Sequence, residues 1–230
     1  MNRTRWIIFV VIAAGILLLL ILTSGNSGTN VKNVDANAIQ KGTSQNGNIP
    51  DHVFGKVGSK VTLIEYGDFQ CPPCGSIYPV VKSITEKYQN QLQFVFRNFP
   101  IPDLHPNAKA AAASAEASGL QSKYWEMHNK LYETQNDWSN LSATERTKFF
   151  DGLAKGLGLD MKKFDTDMSA DAVTSKINYD IALGGKQSVE ATPTFILNGT
   201  KLGTSAYGTQ SDFENTINAE LKKAGVSLPN

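Results

Sequence analysis

Residues 61–79 read VTLIEYGDFQCPPCGSIYP, and the rest of the chain can be placed outward from them. An apolar, strand-like run leads into Cys71-Pro72-Pro73-Cys74, which opens a helix. These are the only two cysteines in the chain. Three apart across a first helical turn, they can cycle between dithiol and disulfide without refolding the domain. A thiol at a helix N-terminus faces unpaired N–H groups and the positive end of the helix dipole, and both favour thiolate. The thiolate is the attacking species, so Cys71 is the expected nucleophile. Cys74, one turn further in, is the expected resolving thiol. Pro72 suits the first turn, where its missing N–H costs nothing. The same spacing is half of a zinc site. No second pair exists, however, and His52, His105 and His128 show no ligand spacing, which favours redox chemistry.

The composition excludes other classes. The chain has 230 residues, 41% of them hydrophobic, enough for one sizeable core. Its net charge of +1 offers no electrostatic case for nucleic acid. Arg3 and Arg5 precede an uncharged apolar run at 6–22, WIIFVVIAAGILLLLIL. At about 17 residues it reaches the lower limit for a membrane span. Positive charge before it favours a cytoplasmic N-terminus and an exported remainder. Residues 1–23 therefore read as a single-pass anchor in the cell membrane, with the catalytic domain on the extracytoplasmic side. The competing reading is a cleaved signal peptide, whose apolar core usually runs about 7–15 residues. Residues 24–48 are rich in Gly, Ser, Asn and Thr, which predicts a flexible linker. Residues 49–230 then form the folded domain.

Within that domain, 60–66 is the first strand. Glu65 lies on the same strand face as Val61 and Leu63. It is either a partly exposed strand carboxylate or a buried acid beneath the cysteines, able to take the proton of Cys74. Residues 71–88 read as a helix and 91–99 as a second strand, giving a βαβ unit. The Ala-rich 106–119 has high helix propensity. Residues 123–134 place Tyr124, Trp125, Met127, His128, Leu131 and Tyr132 at helical spacings, a stripe that reads as core rather than ligand site. Segments 144–156, 161–169 and 171–184 add further helices. His105, before Pro106, reads as a capping or packing residue, and His128 as structural. Strand signals return at 192–197, followed by the hairpin dipeptide Asn198-Gly199 and a return strand at 200–203. A helix at 211–225 closes the chain, with Ser211 as N-cap, Glu214 three residues on and Gly225 as its stop. Pro193 stands at a strand start, where a trans bond is ordinary.

Residues 65–74 (EYGDFQCPPC), 97–100 (RNFP) with His105-Pro106, 124–128 (YWEMH) and 191–195 (ATPTF) together closely resemble the DsbA-like branch of the thioredoxin fold. The resemblance covers about 49 to 221 in the right order. It implies an α/β, thioredoxin-like fold with an inserted all-helical subdomain at about 104–188. It also implies that Cys71 is the surface nucleophile and Cys74 its partner, and that Glu65 is the acid beneath the disulfide. Thr192 would present backbone groups to a substrate chain beside a cis Pro193. No cofactor is implied beyond the Cys71–Cys74 disulfide. The implied partners are reduced or unfolded exported proteins and a quinone-linked membrane reoxidase of DsbB or VKOR type.

One departure bears on function. DsbA itself has a histidine next to the second cysteine, where this chain has Pro73. Pro72 and Pro73 together remove two backbone donors near Cys71, leaving the Cys74 N–H. Each charge-assisted hydrogen bond lost removes roughly 1.5–3 kcal/mol of thiolate stabilisation. Since about 30 mV corresponds to 1.4 kcal/mol for a two-electron couple, a weaker oxidant than DsbA is expected. The leading expectation is a membrane-tethered thiol oxidase. A reductase or isomerase fed with electrons across the membrane is the alternative, and a chaperone-like binder without catalysis a third class.

Overall fold

The computed structural model describes residues 29–229. The anchor expected at 1–23 lies outside the described residues. Among the described residues no helix is long and apolar enough to cross a membrane.

Among the described residues five strands form one sheet in the order β1-β3-β2-β4-β5. They are β1 (Val53–Gly55), β2 (Thr62–Gly67), β3 (Gln93–Asn98), β4 (Thr194–Leu197) and β5 (Thr200–Lys201). β2 and β3 run parallel, with Glu65 opposite Phe96, while β4 pairs antiparallel with β2 and sets Phe195 opposite Glu65. The helix α1 (Pro72–Lys87) makes the crossover between the parallel strands, as such a pair requires. Between β3 and β4 lie α2 (Ala108–Gly119), α3 (Tyr124–Glu133), α4 (Gln135–Trp138), α5 (Ala143–Gly156), α6 (Met161–Asp167) and α7 (Asp171–Lys186). The chain closes with α8 (Gln210–Lys223). The short β1 carried no sequence signal that set it apart from a lead-in.

The central strands are buried on both faces, so each face needs a cover. On one side Leu63, Phe94, Phe96 and Phe195 join Ile84 of α1, Phe213 of α8 and the aromatic stripe of α3. On the other, Ile64, Tyr66, Val95 and Ile196 pack against Tyr179 and Leu183 of α7. Thus α7, counted within the inserted helices by sequence, forms one layer of the sheet core.

The same second face corrects the linker assignment. Ala36 is buried there, and Val31, Val34 and Ile39 pack around it. Arg97, fully buried, donates to the carbonyls of Ala36 and Ala38 and to Asp51 Oδ2 at 2.8 Å. Lys176 Nζ bridges Asp51 Oδ1 and Asp180 Oδ1 at 2.9 and 2.6 Å. Residues 31–48 are therefore part of the fold rather than a free tether. The average composition of 24–48 hid four apolar side chains spaced to cover a sheet. The C-terminal helix also starts earlier than expected. Its N-cap is Thr209, whose Oγ1 accepts from Asp212 N–H, not Ser211. Glu214 instead pairs with Lys87 of α1 at 2.6 Å.

Candidate active site

β2 ends at Gly67 and α1 begins at Pro72, so Asp68-Phe69-Gln70-Cys71 forms the turn that carries the site. Cys71 is the N-cap of α1 in extended conformation, with both prolines in the first turn. Two side chains from the inserted helices and two from the turn itself hold this geometry. Gln135 Nε2 donates to the carbonyls of Phe69 and Cys71 at 2.7 and 2.9 Å. It can approach because residue 75 is glycine; a Cβ there would lie 2.2 Å from Gln135 Oε1. Gln70 Oε1 accepts the Asn107 N–H at 2.6 Å, and its amide donates to Ser139 O. Tyr132 Oη donates to Asp68 O at 3.4 Å. Asp68 Oδ1 accepts the Gln70 N–H, two residues on, at 2.8 Å.

Cys71 and Cys74 stand as the free dithiol. Cys71 is only 5% exposed, so it is a recessed sulfur rather than the surface nucleophile the family resemblance implied. Cys74 is fully buried. The Cys71 thiol is held down to about 6, first by the hydrogen bond that Cys74 Sγ–H donates to it. Burial works against this, while Thr192 and the Cys74 N–H add to it. At pH 7 Cys71 is therefore mostly thiolate. In the thiol form its Sγ–H donates to Thr192 O at 3.3 Å. The buried Thr192 hydroxyl has no other partner among the described residues and is the donor left for the thiolate. Burial and the Cys71 hydrogen bond push the Cys74 thiol well up. One thiol is thus kept charged and the other protonated.

Glu65 resolves to the buried alternative. It is 3% exposed and its carboxyl is pushed up to about 8, first by burial and then by the Cys71 charge. Its charge in turn acts on Cys74, so it stands beneath the thiols and is mostly protonated at neutral pH. The Thr192–Pro193 bond is cis. A groove of about 800 Å³ opens beside the site, lined by Pro73, Ile77, Val80, Pro193, Leu202 and Tyr207 among others. All five residues expected at the site therefore gather around one turn. Asp68, Gln70, Gln135 and Tyr207 were not anticipated. Asp68 carried a signal, an Asp positioned to cap its own turn. Gln135 carried none, because its partners are more than sixty residues away.

His128 is structural, as expected. It stands among Phe69, Phe96, Trp125 and Tyr132 at ring separations of 4.8–5.4 Å, and burial holds it down to about 4.

A model of the thioredoxin family matches residues 47–219. The chain belongs to the thioredoxin family. Among solved structures it is similar to a thioredoxin-like oxidoreductase from Silicibacter pomeroyi, at 26% identity and a TM-score of 0.62 over 78% of this chain and 97% of that one. It shares its fold with BdbD from Bacillus subtilis, at 23% identity and a TM-score of 0.65 over 80% and 98% of the two chains. The same holds for α-DsbA1 from Wolbachia pipientis, at 21% identity and a TM-score of 0.65 over 76% and 92%. The inserted helices thus belong to a fold that this chain shares with those structures. A different set of relatives shares only a segment. The Na(+)/H(+) antiporter NhaA 1 of Salinispora arenicola is 36% identical over 151 residues, 66% of this chain and 22% of that protein. NhaA 1 of Mycolicibacterium gilvum is 32% identical over 155 residues, 24% of its length. The chain thus spans under a quarter of the length of the curated relatives it matches, and antiport is an activity of those proteins.

Proposed function

We propose that this thioredoxin-family protein is an exported thiol oxidase, held at the cell membrane by residues 1–23, that passes the Cys71–Cys74 disulfide to reduced proteins. The observation that carries the reading is the asymmetry of the dithiol: Cys71 is stabilised as thiolate near neutral pH and Cys74 is not. A reduced form stabilised in this way makes the disulfide a better electron acceptor.

In the forward direction a substrate thiolate attacks Cys71 Sγ of the disulfide. The Cys71–Cys74 bond breaks as the mixed disulfide forms, and Cys74 leaves as thiolate. Glu65, protonated at neutral pH, supplies the proton that this buried sulfur needs. A second substrate thiolate then attacks the substrate sulfur of the mixed disulfide and expels Cys71 as thiolate. The substrate has lost two electrons, and the enzyme holds them as a dithiol. During exchange an extended peptide lies in the groove between α1 and the 190–208 region, against Pro193 and Leu202. The dithiol is reoxidised by a quinone-linked membrane protein of DsbB or VKOR type. Tethering both proteins to one membrane raises their effective concentration.

The deciding measurement is the reduction potential of the Cys71–Cys74 pair in the full-length protein, equilibrated in glutathione buffers. The oxidase reading expects a potential well above the glutathione pool. A thioredoxin-like, strongly reducing value would overturn it in favour of an electron-fed reductase, the direction in which the missing N–H groups of Pro72 and Pro73 push.

A further inference from the structure

The turn that carries the thiols is short of donors of its own. Pro72 has no N–H, so the peptide plane that follows Cys71 can be held only by its carbonyl. One buried side chain takes that hold. Gln135 opens α4, and its Nε2 donates to Cys71 O at 2.9 Å and to Phe69 O at 2.7 Å. With two carbonyls to satisfy, only the NH2 end of the amide can face the turn. Cys71 O also accepts the Gly75 N–H at 3.1 Å. The amide is fixed from its own helix: Trp138, three residues on, is fully buried against Phe150, and Ser139 Oγ donates to Gln135 O. Elsewhere in the turn, Asp68 Oδ2 accepts the Ile101 N–H at 2.9 Å and stands 2.7 Å from His105 Nδ1. Held in this way, Cys71 Sγ lies 3.3 Å from Thr192 O, recessed beside the cis proline.

A side chain that holds the carbonyl of an N-cap residue fixes the orientation of that residue, and with it the direction of its Cα–Cβ bond. We propose that Gln135 is a positioning residue for the exchange reaction: by gripping the carbonyls of Phe69 and Cys71 it seats the attacking sulfur against Thr192, and Gly75 is the space that admits its amide. The inference rests on Cys71 being the attacking thiol, and it is independent of the direction of exchange. The amide carries no charge at any pH, so its effect is one of geometry. In its seat the sulfur has the Cys74 thiol and the Thr192 hydroxyl as donors, the latter with no other partner among the described residues. Ungripped, Cys71 leaves that seat and its thiolate loses those donors. The titratable groups that face the sulfur are Cys74, Asp68 and Glu65, and replacing Gln135 alters none of them. The grip is also a route by which the inserted helices act on the chemistry.

The test is the pH profile of Cys71 alkylation in the reduced full-length protein, which gives the midpoint of thiolate formation and, above it, a plateau rate. Gln135→Met keeps the length of the side chain and removes the donor. The acid constant of Cys71 should fall roughly three- to tenfold, the worth of an ordinary hydrogen bond. The plateau should rise, because a freed sulfur is less recessed and a less acidic thiolate is the stronger nucleophile. Gly75→Ala displaces the amide while keeping Gln135, since a Cβ there would lie 2.7 Å from Gln135 Cδ. It should move midpoint and plateau in the same directions, although residue 75 is helical and alanine is otherwise favoured there. In Gln135→Ala the space is free, so adding Gly75→Ala should cause no further shift. A merely structural role would lower the melting temperature and leave the profile in place, and that result would overturn the proposal. So would a Gly75→Ala effect that persists in the Gln135→Ala background. Should the Gln135 variants fail to fold, Gly75→Ala decides alone, an unmoved profile overturning the proposal. Failure of the oxidase reading is seen separately, in the reduction potential, and leaves these profiles readable.

Discussion

At the scale of single residues, the site works by giving three acids unequal environments. Cys71 has hydrogen-bond donors directed at its sulfur, while Cys74 and Glu65 have burial and negative neighbours. For Glu65 the cost is measurable. Its folded pKa of about 8 lies above the ordinary 4.5, so the fold favours the protonated form. Holding a proton there costs nothing below the unfolded pKa, and the cost grows as pH rises from there to about 8. Glu65→Gln should therefore leave stability unchanged near pH 4 and raise it at pH 7.5 by a few kcal/mol, at about 1.4 kcal/mol per pH unit. Paired denaturant melts at the two pH values check this. A variant no more stable at pH 7.5 would mean that Glu65 is solvated. The same substitution should slow exchange, since glutamine cannot deliver a proton to Cys74.

At the scale of elements, most of the chain follows local rules, and the exceptions are instructive. α1 runs through Pro79, and α5 begins with the capping box of Ser142 and Glu145. The end of α8 falls as read, with Gly225 at a φ of +67° just beyond it, where a left-handed residue ends a helix. Its start does not. Ser211 has the right chemistry and Glu214 the right spacing, but Thr209 also caps, and Lys87 on the neighbouring helix claims Glu214. Thr209→Ala should lower stability by about 1 kcal/mol, the usual worth of an N-cap. Ser211→Ala should change it by no more than a few tenths. Thermal melts of the two variants side by side distinguish the assignments, and the reverse ranking would restore Ser211 as the cap.

At the scale of the whole molecule, redox state and stability are linked through Cys71. Its folded pKa of about 6 lies below the 9.0 of an ordinary thiol, and the oxidised form has no such group. Stabilisation of the reduced form is therefore absent below about pH 6 and grows as pH rises toward 9. The reduced protein should melt above the oxidised one at pH 7.5, and the part of that difference due to Cys71 should shrink by about 1–2 kcal/mol as pH falls to 6. Calorimetry of both forms across this range reads the effect. A difference that does not change with pH would place the Cys71 pKa elsewhere.

Local pattern by itself determined the βαβ unit, the run of inserted helices, the returning hairpin and the placement of Cys71 and Cys74 at the start of one helix. Each depends on residues within a few positions of one another, where period, turn chemistry and helix-end electrostatics act directly. Family resemblance supplied Thr192 and the cis Pro193, which spacing alone would have left as an ordinary strand start. Only the tertiary structure decided that Glu65 is buried, that Cys71 is recessed, that Gln135 and His105 support the active-site turn and that residues 31–48 cover a sheet face. Those outcomes depend on what packs against a residue from distant parts of the chain. A buried carboxylate and a solvated one share the same sequence signature until their neighbours are in place.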